Sequence, residues 1–94
     1  MSVNNDNNET DSLKIYPNPI NTTAFISFFL NRQEHAIMKV FDMQGREITT
    51  LVDEKLNPGE HTTVYDTKEL PRGVYFCQLL SSGLIKTQKM LISK

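Results

Sequence analysis

The chain has 94 residues, which suffice for one domain with a modest hydrophobic core. Its formal net charge of -1 and its 22% of charged residues are ordinary for a folded globule, so no global field draws it to nucleic acid or to an acidic membrane. No apolar run of about 18 residues is present, which excludes a membrane-spanning helix, and any secretory signal is expected upstream of this sequence.

Residues 1–12 predict a flexible linker. They are rich in asparagine, carry three acidic residues and no base, and offer almost no apolar surface whose burial could offset the entropy of ordering. The closing stretch, residues 84–94, has the opposite charge, with three lysines and no acid. We therefore expect an acidic linker at 1–12 followed by one folded domain at 13–94.

From residue 13 onward, polar and apolar residues alternate with the period of two that is typical of β-strands. Turn residues separate the alternating segments, because Pro17 and Pro19 cannot donate to a strand ladder and Gly45 suits a tight turn. Residues 53–60 are expected to form a loop. The predicted strands are residues 13–16, 23–30, 35–43, 47–52, 61–66, 74–80 and 84–93.

Seven short strands with turns about every eight to twelve residues, and no sustained helical period, predict an all-β fold. The spacing favours a seven-stranded antiparallel immunoglobulin-like β-sandwich over a five-stranded barrel, which has too few strands. The Cys…Trp…Cys pattern of true immunoglobulin domains is absent, since the chain has one cysteine and no tryptophan. That cysteine, Cys77, lies in a strand-like segment, where a buried and unreactive thiol is expected.

The sequence shows no constellation for catalysis, cofactor binding or metal binding. His35 and His61 are far apart and fit no metal-ligand spacing, and no nucleophile can be paired with a base from the sequence. Asp53, Glu54 and Glu60 lie around one loop but lack the dense alternation of oxygen ligands that calcium requires. We therefore expect an interaction module that is not an enzyme and that uses no cofactor or metal.

Residues 42–46, with the sequence Asp-Met-Gln-Gly-Arg, form a turn motif. Asp42 is expected to accept backbone N–H groups of the turn, Gly45 to adopt a positive φ, and Arg46 to reach back to the Asp42 carboxylate. The motif is first of all a turn specification, and recognition by a partner is the alternative.

Residues 70–73, with the sequence Leu-Pro-Arg-Gly, form a second turn motif before a predicted strand. Pro71 fixes φ and Gly73 supplies an unusual backbone dihedral, so this motif also specifies a turn. The alternative is that a rigid surface turn, with Leu70 and Tyr75 beside it, presents a defined shape to a partner.

Lysines are the only charged residues of the closing segment. Lys86, Lys89 and Lys94 can protect an edge strand from unwanted pairing, or they can contact a partner together with a free carboxyl group after Lys94. An open edge strand can also accept an added strand from a partner, or pair with a second copy of the chain. Both interpretations of the lysines remain open at this point.

Four segments in order, residues 16–19, 40–46, 70–76 and 89–94, carry a family resemblance. They read Tyr-Pro-Asn-Pro, Val-Phe-Asp-Met-Gln-Gly-Arg, Leu-Pro-Arg-Gly-Val-Tyr-Phe and Lys-Met-Leu-Ile-Ser-Lys. Together they resemble the C-terminal sorting domain (type A) of cargo proteins of the type IX (Por) secretion system of Bacteroidetes. The resemblance covers about residues 13–94.

The resemblance implies a non-catalytic sandwich that is fused behind a cargo protein. It implies transit through the periplasm, passage through an outer-membrane translocon, and removal by a sortase-like peptidase that cuts within residues 1–13, which leaves the cargo at the cell surface or outside the cell. The residues expected to meet the secretion machinery are Leu70, Pro71, Gly73, Tyr75, Lys86, Lys89 and Lys94, with Asp42, Gly45 and Arg46 in the turn motif.

A carbohydrate-binding or adhesive β-sandwich is the alternative function. Sugar-binding sandwiches usually present a row of exposed aromatic side chains, whereas this chain has no tryptophan and places its three tyrosines at strand-like positions. The sequence therefore favours the sorting signal. A polysaccharide pull-down beside a secretion assay separates the two functions.

Overall fold

The computed structural model describes residues 13–94, and the linker predicted at residues 1–12 lies outside the described residues. Within the described part of the chain there are seven β-strands and no helix. In chain order these strands are β1 (Lys14–Tyr16), β2 (Thr23–Leu30), β3 (Glu34–Phe41), β4 (Glu47–Leu56), β5 (Gly59–Asp66), β6 (Gly73–Ser81) and β7 (Leu84–Ile92).

The strands form two sheets that pack face to face as a sandwich. One sheet has three strands in the order β1-β2-β5, and the other has four in the order β4-β3-β6-β7. Every ladder between these strands is antiparallel. The predicted all-β, seven-stranded antiparallel sandwich is therefore confirmed.

Alternation along each strand divides its residues between the core and an outer face. In β2, Ala24, Ile26, Phe28 and Leu30 are buried, whereas Phe29 is exposed on the outer face. Full burial of a side chain such as Phe28 stabilises the fold by about 1.5–3 kcal/mol. The core draws on both sheets, and β3, β6 and β7 contribute Met38, Val40, Tyr75, Cys77, Leu79, Met90 and Ile92.

The prediction of a loop at residues 53–60 is wrong. β4 continues to Leu56 and β5 begins at Gly59, which leaves a two-residue connection. Asp53, Glu54 and Lys55 pair in regular register with β3, but all three are exposed polar residues and show no apolar alternation. The second half of β4 therefore carries no alternation signal, and the turn residues Asn57 and Pro58 that follow it favour a loop.

Consecutive strands run in opposite directions, so their connections fall at two ends of the sandwich. We call one of them the motif end, because all four segments of the family resemblance reach it. The motif end carries the connections at 17–22, 42–46 and 67–72 together with residues 93–94. The opposite end carries the shorter connections at 31–33, 57–58 and 82–83.

Leu13 lies directly before β1 and is held between the two sheets. β1 runs toward the motif end and pairs Lys14 with Ser27, partway along β2. Leu13 is buried, and its carbonyl oxygen accepts a hydrogen bond of 3.1 Å from Nε2 of Gln88 on β7. From Leu13 onward the chain is therefore fixed against both sheets.

Candidate functional site

Three segments that are far apart in sequence are tied to one another at the motif end. They are the β1–β2 connection at 17–22, the β5–β6 connection at 67–72, and residues 89–94. Each is hydrogen-bonded to the other two, and together we call them the clasp. The clasp contains parts of three of the four segments that carry the family resemblance.

The first tie joins the β1–β2 connection to the edge of β7. The Asn18 amide donates from Nδ2 to the Lys89 carbonyl oxygen (3.1 Å), and its Oδ1 accepts the Leu91 N–H (3.0 Å). The Ile20 N–H then donates to the Leu91 carbonyl oxygen (2.7 Å), and the Ser93 N–H donates to the Ile20 carbonyl oxygen (2.8 Å). These bonds make a short parallel bridge at Ile20, whose side chain is fully buried.

The second tie joins the β1–β2 connection to the β5–β6 connection. Thr67 is buried, and both its N–H (2.7 Å) and its Oγ1 hydroxyl (2.9 Å) donate to the Thr22 carbonyl oxygen. A buried hydroxyl group needs a partner, and a carbonyl oxygen has two lone pairs with which to accept both donors. The Leu70 N–H donates back to the Thr67 carbonyl oxygen (3.0 Å) and closes the turn.

The third tie joins the last residue to the β5–β6 connection. Nζ of Lys94 donates to the carbonyl oxygens of Lys68 (2.5 Å) and Leu70 (2.6 Å). Hydrogen bonds from an ammonium group are charge-assisted and stronger than those between neutral groups. A lysine of the closing segment and the turn motif at Leu70 thus form one structural unit.

Tyr75 supports the same connection from the core side. It is buried, and its phenolic hydroxyl donates to the Pro71 carbonyl oxygen (2.7 Å). This arrangement is the tyrosine corner of immunoglobulin-like sandwiches. Tyr75 lies two residues before Cys77, and this spacing is a sequence signal that was not used above. Gly73 has a φ of 147°, in agreement with the unusual dihedral predicted for it. Tyr75 therefore shapes the turn from inside, while Pro71 is exposed on its surface.

The turn motif at 42–46 is self-contained. Oδ1 of Asp42 accepts the N–H groups of Gln44 and Arg46, both at 2.9 Å, and Oδ2 accepts Nε of Arg46, also at 2.9 Å. Gly45 has a φ of 85°, and its N–H donates to the Asp42 carbonyl oxygen (3.0 Å). The predicted contacts within this turn are confirmed.

These contacts also change the electrostatics of the turn. The backbone hydrogen bond from Arg46, assisted by its guanidinium, holds the pKa of the Asp42 carboxyl group below its ordinary value. Because Asp42 is engaged in the turn, β3 ends at Phe41, two residues before the predicted end at Met43.

The structure does not group the three lysines of the closing segment on one surface. Strand alternation places Lys86 on the inward-facing side of β7 with Met90, and Lys89 on the outer face with Leu91. The ammonium group of Lys94 instead lies over the β5–β6 connection. β7 is an edge strand, as expected, but only the Lys94 side chain takes part in the clasp.

Both outer faces of the sandwich expose apolar side chains. On the three-stranded sheet, the partly exposed rings of Tyr16 and Phe25 stack with their centroids 5.8 Å apart. On the four-stranded sheet, a shallow depression adjoins the turn motif. It is lined by Phe41, Asp42, Met43, Gly45, Phe76 and Gln78.

The remaining reactive side chains make structural contacts. His35 Nε2 lies 2.6 Å from Asp53 Oδ1 on the surface, and His61 Nε2 lies 2.8 Å from the Asn57 carbonyl oxygen. Burial raises the pKa of Cys77 to about 12, so its thiol stays protonated, as the sequence led us to expect. Residues 13–94 contain no cluster of His, Cys, Asp or Glu side chains that could hold a metal ion, and no helix able to cross a membrane.

Most of the chain is similar to a known protein family. A family model described as a secretion system C-terminal sorting domain matches residues 14–93. The matched range starts with the first residue of β1 and ends one residue after β7, so it includes the turn motif and all of the clasp except Lys94. No curated protein matches the chain.

Proposed function

The chain belongs to the secretion system C-terminal sorting domain family, and we propose that its motif end is the surface by which the type IX secretion machinery recognises it. The domain is a C-terminal sorting signal for type IX secretion, and a sorting signal of this kind is joined to a cargo on its N-terminal side. It directs export to the cell surface or the extracellular space. The proposal concerns where on the domain recognition takes place.

One observation carries the proposal: segments that are distant in the sequence, and that carry the family resemblance, meet at one end of the sandwich. The connections at the motif end have five or six residues, whereas those at the opposite end have two or three. The clasp and the turn motif hold the longer connections in fixed shapes by hydrogen bonds. A surface that is already ordered loses less entropy when a partner binds it.

The residues at the motif end divide into contacts and supports. We propose that the exposed Pro71 and Arg72, together with the Gly45–Arg46 corner of the turn motif, contact the machinery. Leu70, Gly73, Tyr75, Asp42 and Lys94 then act by shaping the two turns. Lys89 borders this surface on the outer face of β7, whereas Lys86 lies toward the opposite end and outside the proposed surface.

We further propose the translocon of the outer membrane and a sortase-like peptidase as the partners, after transit through the periplasm. The position of Leu13 supports a cut on its N-terminal side, because a peptidase needs an accessible chain and Leu13 is buried with its carbonyl oxygen bonded to Gln88. A cut within residues 1–12 leaves every hydrogen bond described above intact.

We also propose that the domain has no catalytic activity of its own. Domains of this family are in general non-catalytic. The pKa of Cys77 is raised by its burial, and His35 and His61 are held in surface contacts. These features are consistent with a structural role for the side chains that most often serve as nucleophiles or bases.

The proposal is tested by the export of a fluorescent protein fused before the domain. Arg72 and Arg32 are both exposed arginines, one at the motif end and one at the opposite end, so Arg72→Glu and Arg32→Glu form a matched pair. We expect Arg72→Glu to lower the exported fraction and Arg32→Glu to leave it unchanged, with both variants unfolding at the wild-type temperature. Equal export of the two variants contradicts the proposal.

Deleting the closing residues is a weaker test. Removal of residues 90–94 also removes Met90 and Ile92, which are both fully buried in the core. Loss of export would then follow from unfolding as readily as from loss of a contact. The surface substitution avoids this ambiguity.

A further inference from the structure

The edge of β7 is occupied near its end by the chain itself. An edge strand normally offers its outward backbone groups to another strand. Here residues 18–20 already bond four of these outward groups. They are the carbonyl oxygen of Lys89, the N–H and the carbonyl oxygen of Leu91, and the N–H of Ser93. These groups come from alternate residues, and they are the ones that an added strand would use.

Asn18 occupies two of these four groups with one side chain. A side-chain amide carries a donor and an acceptor next to each other, as a peptide group does, so Asn18 reproduces two ladder hydrogen bonds. Ile20 occupies the other two through its backbone, and its buried side chain anchors the segment in the core. Residues 18–20 therefore take the place of an added strand.

The two edges of the four-stranded sheet differ in their suitability for strand addition. β4 pairs with β3 through a ladder that is interrupted twice, and irregular edges resist pairing. β7 pairs with β6 over nine consecutive residue pairs without interruption. β7 is therefore the better template for an incoming strand, and the segment at 18–20 lies where it blocks that use.

We propose that residues 18–20 are an edge guard, and that the type IX machinery binds β7 in this guarded state. The proposal rests on the proposed function and specifies how the same surface is used: the partner docks on the side chains and turns of the motif end and adds no strand to residues 89–93. Charge complementarity indicates acidic groups on the partner, since Arg72 and Lys89 have no ion-pair partner among the described residues.

Asn18→Ala in the full chain tests the guard, with Asn21→Ala as its control. Both asparagines are exposed in the same connection, but of the two side chains only that of Asn18 is hydrogen-bonded to β7. We expect hydrogen exchange of the Leu91 amide to become about two- to tenfold faster in Asn18→Ala and to stay unchanged in Asn21→Ala. Asn18→Asp keeps the acceptor for Leu91 but loses the donor to Lys89, so its exchange rate is expected between those of wild type and Asn18→Ala.

Export of a fused fluorescent cargo then decides how the machinery uses the edge. If the guarded state is recognised, Asn18→Ala lowers export while Asn21→Ala does not. If the machinery adds a strand, opening the edge leaves export unchanged or raises it, and the inference is wrong. It is also wrong if Leu91 exchanges equally fast in Asn18→Ala and Asn21→Ala. Hydrogen exchange is measured on the isolated protein, without the secretion machinery. Its result is therefore independent of the export result for Arg72→Glu, which tests the proposed function.

Discussion

The clasp and the turn motif at 42–46 lie at the same end of the sandwich but are built in opposite ways. All hydrogen bonds described for the turn lie within five residues, between Asp42 and Arg46. In the clasp, Asn18 and Lys89 are 71 residues apart, and Thr67 and Thr22 are 45 apart. One part of the proposed recognition surface is thus specified locally, while the other exists only after both sheets have docked.

This difference has a consequence for folding and for stability. A local turn closes with little loss of chain entropy, whereas contacts between distant residues require long loops to be closed first. We therefore expect changes in the clasp to affect the stability of the whole sandwich, and changes in the turn to remain local. Three experiments can break or sharpen this comparison.

The largest effect is expected from Ile20→Ala in the clasp. Ile20 is fully buried, and truncating a buried isoleucine to alanine costs about 2–5 kcal/mol of unfolding free energy, because the lost methyl groups leave a cavity. Ile48, which is 38% exposed, supplies the control, and Ile48→Ala should cost about 0.5 kcal/mol or less. Urea denaturation measures both values. Similar losses in the two variants would mean that the clasp is not coupled to the core.

A smaller effect is expected from Gly45→Ala in the turn. Gly45 has a φ of 85°, and a Cβ atom built on it meets no other atom within 4 Å, so the cost is purely conformational. That cost is about 1–2 kcal/mol for alanine, and it should be smaller for Gly45→Asn, because asparagine adopts positive φ more readily. Urea denaturation measures both costs. Local opening of the turn should leave the hydrogen-exchange rate of the Leu91 amide unchanged. Faster exchange of Leu91 through local opening would show that the turn and the clasp are coupled.

The smallest effect is expected from the charge of Asp42. Its pKa is lowered in the folded protein relative to the ordinary value of 3.8, so its carboxylate stabilises the fold at pH values above 3.8. This contribution is lost as the pH falls through the lowered pKa of the folded state. We expect wild type to lose more stability than Asp42→Asn when thermal unfolding is followed from neutral pH to below pH 3.8. Parallel curves for the two proteins would show that Asp42 contributes nothing through its charge.

The same division explains what the sequence could reveal. The contacts of Asp42 with Arg46 follow from residue types at a fixed short spacing, so the sequence was sufficient to predict them. The seven strands were predicted because alternation is also a local signal. It failed at residues 53–56 of β4, where three consecutive polar residues are exposed and no apolar alternation remains.

The clasp was beyond this kind of reasoning. No residue near Asn18 in the sequence indicates that its side-chain amide will bond to β7. For Lys94, the sequence contained no sign of the carbonyl oxygens that its ammonium group contacts. The pairing depends on the order of strands in two sheets, which period-two patterns do not encode. Tyr75 is an intermediate case, because its spacing to Cys77 is a sequence signal of the tyrosine corner that can be used once the fold class is known.

The direction of β1 has a consequence for the cargo. Because β1 points toward the motif end, Leu13 lies at the end of β1 that is away from the motif end. A partner that binds the motif end, as we propose, therefore approaches the domain from the side away from Leu13. We expect the direction of this three-residue strand to keep a cargo joined before it clear of that partner.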